Sequence, residues 1–293
     1  MTRNNPRLGI ALMILTSAIF ALQEGVSRHL AETYSVLSVV MIRYWFFAAF
    51  VVALSAARGG GVRRVARTAQ PGLQIFRGVL LAAEICVTVL SFVLLGLIES
   101  HAVFAIYPLL IAALAGPMLG EYVGWRRGAA IGVGLVGVLV ILRPGVRVFA
   151  PEALIPLVAA FMFALYGLLT RLAARRDSAE TSFFWTGVAG AVAISLVAPF
   201  WWTPIETAAD RLWMAALCAT GALGHFLLIK VYEVAEAGVV QPFSYFQLVF
   251  VSLIAVTLFD ERPDGWTLAG AALILAAGLY TLSREARLSG KLS

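Results

Sequence analysis

What most limits this chain is a succession of ten long apolar segments, at about 8–28, 36–57, 72–95, 99–119, 125–143, 152–172, 181–200, 209–232, 237–259 and 265–283. A helix needs about 20 residues to cross the hydrocarbon core of a bilayer. A soluble globule with that many apolar runs is excluded by composition. The chain of 293 residues is 61% hydrophobic and 13% charged, where ordinary soluble proteins are roughly 45–50% apolar and about 25% charged. Folding could not hide so much apolar surface from water. The runs mix Gly with aliphatic residues and do not alternate, so they read as helices and not as barrel strands. Ten spans use about 200 residues, which leaves no room for an extramembrane catalytic domain. The expected fold class is an all-α polytopic membrane protein.

Charge sets the expected orientation. The net charge is +6. In a membrane protein such an excess sits in cytoplasmic loops and does not call for nucleic acid. With the N-terminus inside, fifteen Lys and Arg fall on the cytoplasmic side, including Arg58, Arg63, Arg64, Arg175 and Arg176. Five fall outside, namely Arg28, Arg143, Arg147, Arg211 and Arg262, and Arg43 and Arg77 lie within spans. Both termini are therefore expected in the cytoplasm, in an inner (plasma) membrane. The start resembles a signal peptide, but Leu22-Gln23-Glu24-Gly25 is a poor cleavage site, so the first helix is expected to stay. Cys86 and Cys218 fall in apolar runs and read as packing residues.

An internal repeat is visible. Phe20-Ala21-Leu22 followed by Ser27-Arg28 recurs as Phe163-Ala164-Leu165 followed by Thr170-Arg171, 143 residues on. Leu119-Gly120-Glu121 with Trp125 recurs loosely as Phe259-Asp260-Glu261 with Trp266. Five spans per repeat, an odd number, put the halves in opposite orientations. The expected organisation is residues 1–145 and 146–293 as two inverted five-helix repeats, an arrangement common in secondary transporters.

Ten short spans, a five-plus-five repeat and the Gly120-Glu121 loop resemble the drug/metabolite transporter superfamily, EamA type. Arg43 in the second span, Arg77-Gly78 opening the third, Pro108 in the fourth and Asp260-Glu261 after the ninth add to the resemblance, which covers essentially the whole chain. Aromatic side chains near the centre look like those of the YddG-type amino-acid exporters. The resemblance implies a carrier exporting amino acids, aromatic or otherwise apolar, or similar small metabolites by alternating access. It implies spans 5 and 10 at the periphery and spans 1–4 and 6–9 around a central cavity. Multidrug efflux or metabolite uptake on the same fold remains open. A membrane-embedded enzyme would need clustered catalytic groups, and the three histidines are scattered. Small-molecule substrate and lipid are the expected partners. Neither cofactor nor metal is called for, and the oligomeric state is left open.

Two prolines in corresponding spans, Pro108 and Pro242, mark expected helix breaks, where a freed carbonyl needs a partner that lipid cannot supply. Tyr107 sits beside the first. Gln241, Ser244, Tyr245 and Gln247 surround the second, and Gln241, Ser244 and Tyr245 share a face by helical spacing. With Tyr166 and Trp185 as added walls, these are the substrate-binding candidates. Any one aromatic has the plainer reading of packing or interface anchoring, which is preferred for Trp201, Trp202 and Trp266. Ionisable groups inside a membrane are costly and so are functional candidates. Glu84 and His225 are the proton-coupling candidates, with an interhelical hydrogen bond and a satisfied core histidine as the structural alternatives. Glu24, Glu99 and His101 are expected near the outer ends, within reach of water, and Arg43 is expected to pair with one of the acids. Gly132-Val133-Gly134-Leu135-Val136-Gly137 matches a dinucleotide motif but lies mid-span, where no strand precedes it. Gly128 and Gly132, four apart, read as a close-packing surface.

Overall fold

A computed structural model describes residues 5–57, 61–119, 125–142, 151–235, 240 and 243–289. Among these residues the structure is helical throughout, without strands. In the first half, α1 spans Pro6–Ala31, α2 Val36–Ala57, the short α3 Gly61–Ala66, α4 Pro71–Leu95, α5 Leu97–Phe104, α6 Tyr107–Leu119 and α7 Trp125–Leu142. In the second, α8 spans Ile155–Ala173, α9 Ala179–Val197, α10 Ala208–Val234, α11 Phe246–Leu258 and α12 Gly265–Ser289. Starts carry the expected chemistry. Asn5 accepts from the Leu8 N–H at 3.1 Å ahead of Pro6, and Ser178 and Thr207 cap α9 and α10 through Thr181 and Asp210 N–H groups at 3.1 and 3.0 Å.

Among the described residues, seven helical stretches are long and apolar enough to cross a membrane, and Gly128–Ile141, Phe246–Leu258 and Gly265–Tyr280 are shorter apolar helices. Each of the ten apolar segments contains one of these. Polarity is inverted relative to a soluble protein. Phe200, Leu212 and Leu196 are 81%, 74% and 72% exposed, while Arg77, Gln74 and Glu84 are buried. An apolar exterior around a polar interior suits a lipid surround. The chain is a multi-pass membrane protein.

The main helix pairings run between the halves. α1 packs along α10 and α11, α8 along α4 and α6, α2 on α9 and α10, and α4 on α9. α7 packs chiefly on α12. Their contact is made at Gly137 and Gly270, where a Cβ on either would come within 2.8 Å and 2.5 Å of the other's carbonyl oxygen. The sequence placed this close packing one turn too early. Gly128 and Gly132 have nothing within 4 Å, whereas Gly134 lies against Leu109. The dinucleotide-like run lies wholly inside α7, so it forms no phosphate loop.

The fourth span breaks as its proline implied, but before the proline. Ala105 and Ile106 separate α5 from α6, and Pro108 is the second residue of α6, where a missing N–H costs nothing. Across the break tight turns take up part of the backbone, Ile106 N–H bonding the Val103 carbonyl at 3.2 Å and Leu109 N–H the Ile106 carbonyl at 2.9 Å. Pro242 lies outside the described residues. α11 nevertheless begins only after a turn through Tyr245, with the Leu248 N–H bonded to the Tyr245 carbonyl at 3.1 Å.

Candidate functional site

α1 carries Phe20, Gln23, Glu24 and Ser27 at intervals of three and four, so all four project from one side. That side faces a pocket lined by helices of both halves, and clefts between packed helices are a usual place for small-molecule sites. From α4 come Glu84, Thr88 and Phe92, and from α2 comes Arg43. Phe104 of α5, Phe163 of α8, His225 of α10 and Gln247 of α11 complete the lining. Phe20 and Phe163, the repeat-related phenylalanines, thus face one space.

Several polar groups in this wall are already committed to one another. The Thr88 hydroxyl donates to Glu84 Oε1 at 2.6 Å. Gln247 Nε2 donates to Glu24 Oε1 at 2.7 Å, and His101 Nδ1 lies 3.2 Å from Glu24 Oε2. Arg43 Nη2 lies 3.2 Å from His225 Nε2. A guanidinium only donates, so Nε2 must accept, which leaves the imidazole neutral with its proton on Nδ1. That Nδ1 is buried without a hydrogen-bond partner, and so is Gln23 Oε1. Arg43 is held close to α10 by Gly221, where a Cβ would come within 2.7 Å of the guanidinium Nε.

Both ends of the pocket are braced. On one side Arg77, fully buried in α4, donates to Tyr166 Oη and Thr170 Oγ1 at 3.2 Å each, to Gln74 Oε1 at 2.8 Å and to the Ser182 carbonyl. Gln74 Nε2 passes the network to Asp177 at 2.9 Å. Burial pushes the Asp177 carboxyl up, but hydrogen bonds from Thr68, Gln74 and the Ala69 N–H outweigh it and hold the group below its ordinary value. On the other side Glu261, just past α11, pairs with Arg28 of α1 and accepts the Leu97 and Ile98 N–H groups at 2.9 Å each. Gly96 makes this approach possible. Its φ of 83° is left-handed, and a Cβ there would lie 2.8 Å from Glu261 Oε1. The Arg28 guanidinium also sits 4.2 Å from the Phe259 ring centroid.

Of the residues singled out from sequence, the structure brings Glu84, His225 and Gln247 to the pocket. Tyr107 and Ser244 are hydrogen-bonded to each other beside it. Phe163 separates them from the cavity, its ring 5.0 Å from that of Tyr107. Tyr166 is committed to Arg77. Tyr245 turns away toward α12, where its hydroxyl lies 2.2 Å from a Cβ built on Gly278. Trp185 is not at the pocket either: its indole N–H donates to the Ala66 carbonyl at 3.1 Å and ties α3 to α9. Gln241 lies outside the described residues. Glu24 and His101 were expected near water. They are 8% and 2% exposed, Glu24 lining the pocket and His101 packed against it from behind, while Glu99 is half-buried. Arg43 hydrogen-bonds His225, and of the acids its charge acts on Glu84. Gln23, Glu24 and Ser27 were discoverable as polar residues at three- and four-residue spacing inside an apolar span. Phe92 and Phe104 carry no such signal. Both cysteines are free. Among the described residues no three His, Cys, Asp or Glu side chains cluster as metal ligands.

Comparison with known proteins agrees over nearly the whole chain. The model of the EamA-like transporter family matches residues 7–143 and again 151–283. An S-adenosylmethionine uptake transporter of Rickettsia bellii is 26% identical over 97% of this chain and 96% of its own length. A riboflavin transporter of Vibrio cholerae is 26% identical over 98% and 97%, and one of Rhizobium johnstonii is 28% identical over 96% and 92%. One solved crystal structure superimposes with a TM-score of 0.68 over 97% of this chain and 99% of that one, at 21% identity, a likeness of fold alone. The chain belongs to the EamA-like transporter family.

Proposed function

We propose that this protein is a secondary carrier for a small metabolite built on a flat heteroaromatic ring, held in the pocket between Phe20, Phe92, Phe104 and Phe163. The observation that carries the reading is the lining itself: four phenyl rings from four helices surround buried hydrogen-bonding groups. Rings of this kind take a flat ligand in stacked or edge contacts. S-adenosylmethionine and riboflavin, the substrates in the relatives' names, share a fused nitrogen heterocycle, whereas amino-acid export has no counterpart in those names.

Alternating access follows from ten spans in two inverted halves, residues 1–145 and 146–293, with both termini cytoplasmic. Two features support this arrangement. The family model matches once in each half. The helix pairings also exchange between halves: α1 lies on α10 and α11 as α8 lies on α4 and α6, and α2 lies on α10 as α9 lies on α4. Even the small-residue contacts correspond, with a Cβ on Gly25 meeting Ile254 at 2.8 Å and one on Gly167 meeting Ile111 at 3.4 Å. Rocking of one half against the other opens the pocket to each side in turn. Gln247, Glu84 and His225 contact substrate in this scheme. Tyr107, Ser244 and Tyr166 form the layer behind Phe163 that must shift with it.

The test is uptake into proteoliposomes of radiolabelled S-adenosylmethionine, riboflavin and phenylalanine. Saturable uptake of either fused-ring compound is expected, and Phe163→Ala should weaken its apparent affinity about threefold to tenfold, the loss of one aromatic contact. Uptake of phenylalanine alone would return the carrier to amino acids and overturn the reading.

A further inference from the structure

Within the pocket lining, two carboxylates face one guanidinium. Glu24 and Glu84 come from neighbouring α1 and α4. Arg43, the cation of that lining, is turned onto His225. His101 touches Glu24 from behind the wall and adds a positive charge only when protonated. The acceptors are in excess as well. Gln23 is 7% exposed, lines the cavity, and its Oε1 has no donor. A buried acceptor left empty is costly, and two neighbouring carboxyls beside one guanidinium cannot both ionise cheaply in a low-dielectric wall without a further cation. Both costs are removed by a ligand that brings N–H donors and a positive charge.

We infer that Glu24 and Glu84 form a cation subsite that takes the sulfonium centre of the substrate while the phenyl rings hold its heterocycle. The inference rests on the transport reading above and narrows it: among fused-ring metabolites the pocket selects the charged ones. Gln23 Oε1 supplies a hydrogen-bond acceptor beside the cation, and the His225 Nδ1–H, also without a partner, supplies a donor for a ring nitrogen or carboxylate of the same ligand. The substrate charge is then read by groups of the first half, and the ring by phenyl groups of both halves together with His225. A neutral ligand of the same shape satisfies the rings and leaves the carboxylates unbalanced.

Two compounds isolate the charge. S-adenosylmethionine has a sulfonium centre, and S-adenosylhomocysteine lacks one methyl and has a neutral thioether at the same place. Equilibrium binding of both, and of uncharged riboflavin, is measured on the full-length protein in nanodiscs. The sulfonium compound should bind at least about tenfold tighter than the thioether, the scale of one additional charge-assisted contact. Glu24→Gln and Glu84→Gln should each bring that ratio toward one, and Phe163→Ala should weaken both ligands and keep the ratio. Equal binding of sulfonium and thioether, or riboflavin bound as tightly as either, overturns the cation subsite and leaves the carrier reading standing. A ratio unchanged in both carboxylate variants overturns the assignment to Glu24 and Glu84. If none of the three ligands binds, the carrier reading fails and the subsite fails with it. The wild-type comparison decides the charge preference even if a variant does not fold.

Discussion

Replacing Glu261 by alanine should destabilise the protein well beyond an ordinary surface change. α5 begins at Gly96, which has no side chain to cap it, so the first N–H groups of the helix depend on a carboxylate 163 to 164 residues away. Each of the two bonds, at 2.9 Å, is to a charged acceptor and is worth about 1.5–3 kcal/mol. The side chains of Arg28 and Glu261 are 15% and 17% exposed, so water reaches the site and replaces part of what is lost. We take about 3 kcal/mol for the whole, which corresponds to a fall of about 6 °C in melting temperature for a chain of this size. Glu261→Gln keeps one acceptor oxygen for the helix and loses the ion pair with Arg28, so it should fall between parent and alanine variant. The assay is tryptophan-fluorescence melting of the three proteins in one detergent. An alanine variant within about 1 °C of the parent would refute the capping role.

Arg77→Lys keeps the charge but not the fork that serves Tyr166, Thr170, Gln74 and Ser182 together. It should cost about 3 kcal/mol and lower the monodisperse yield by size exclusion, because an ammonium cannot span those partners. Asp177 contributes stability that is complete above the unfolded carboxyl value and drains away as pH falls through its depressed folded value, below the ordinary 3.8. Asp177→Asn should therefore flatten the acid limb of a melting-temperature profile, and an unaltered limb would contradict the network. Cysteines at positions 175 and 206, on a background lacking Cys86 and Cys218, should label from opposite sides of the membrane, with 206 reached from outside. Labelling of 175 from outside would reverse the orientation.

Every apolar segment read from sequence holds a helix, because spanning length and lack of charge are written directly in composition along the chain. The site was legible only in part. Glu84, His225 and Gln247 stand out because ionisable or amide groups in apolar runs have to be explained. Glu24 looked peripheral because distance along α1 was counted from the helix end. The covering residue His101 comes from α5, and nothing in one span tells what another lays over it. Tyr245 and Trp185 misled for the same reason: an aromatic ring with a polar tip is equally at home facing a cavity, α12 or the α3 carbonyl of Ala66. Pro108 signalled a break correctly but not its position, since proline is tolerated in the first turn after an interruption.

The partners of Arg77 have a consequence for how the protein is made. Tyr166, Thr170 and Ser182 lie 89, 93 and 105 residues downstream. At roughly 5–20 residues per second, α4 leaves the ribosome about 5–20 s before those groups exist. Throughout that interval the membrane holds a helix with a guanidinium served only by Gln74 of its own turn, at an insertion cost that reaches about 2.5–3.5 kcal/mol at a helix centre and is smaller toward the end where Arg77 lies. The nascent first half is thus an incomplete solute in lipid, which the insertion machinery must shelter until α8 and α9 arrive. A translation product stopped near residue 150 should remain crosslinkable to that machinery through α4, whereas one that has released α9 should not.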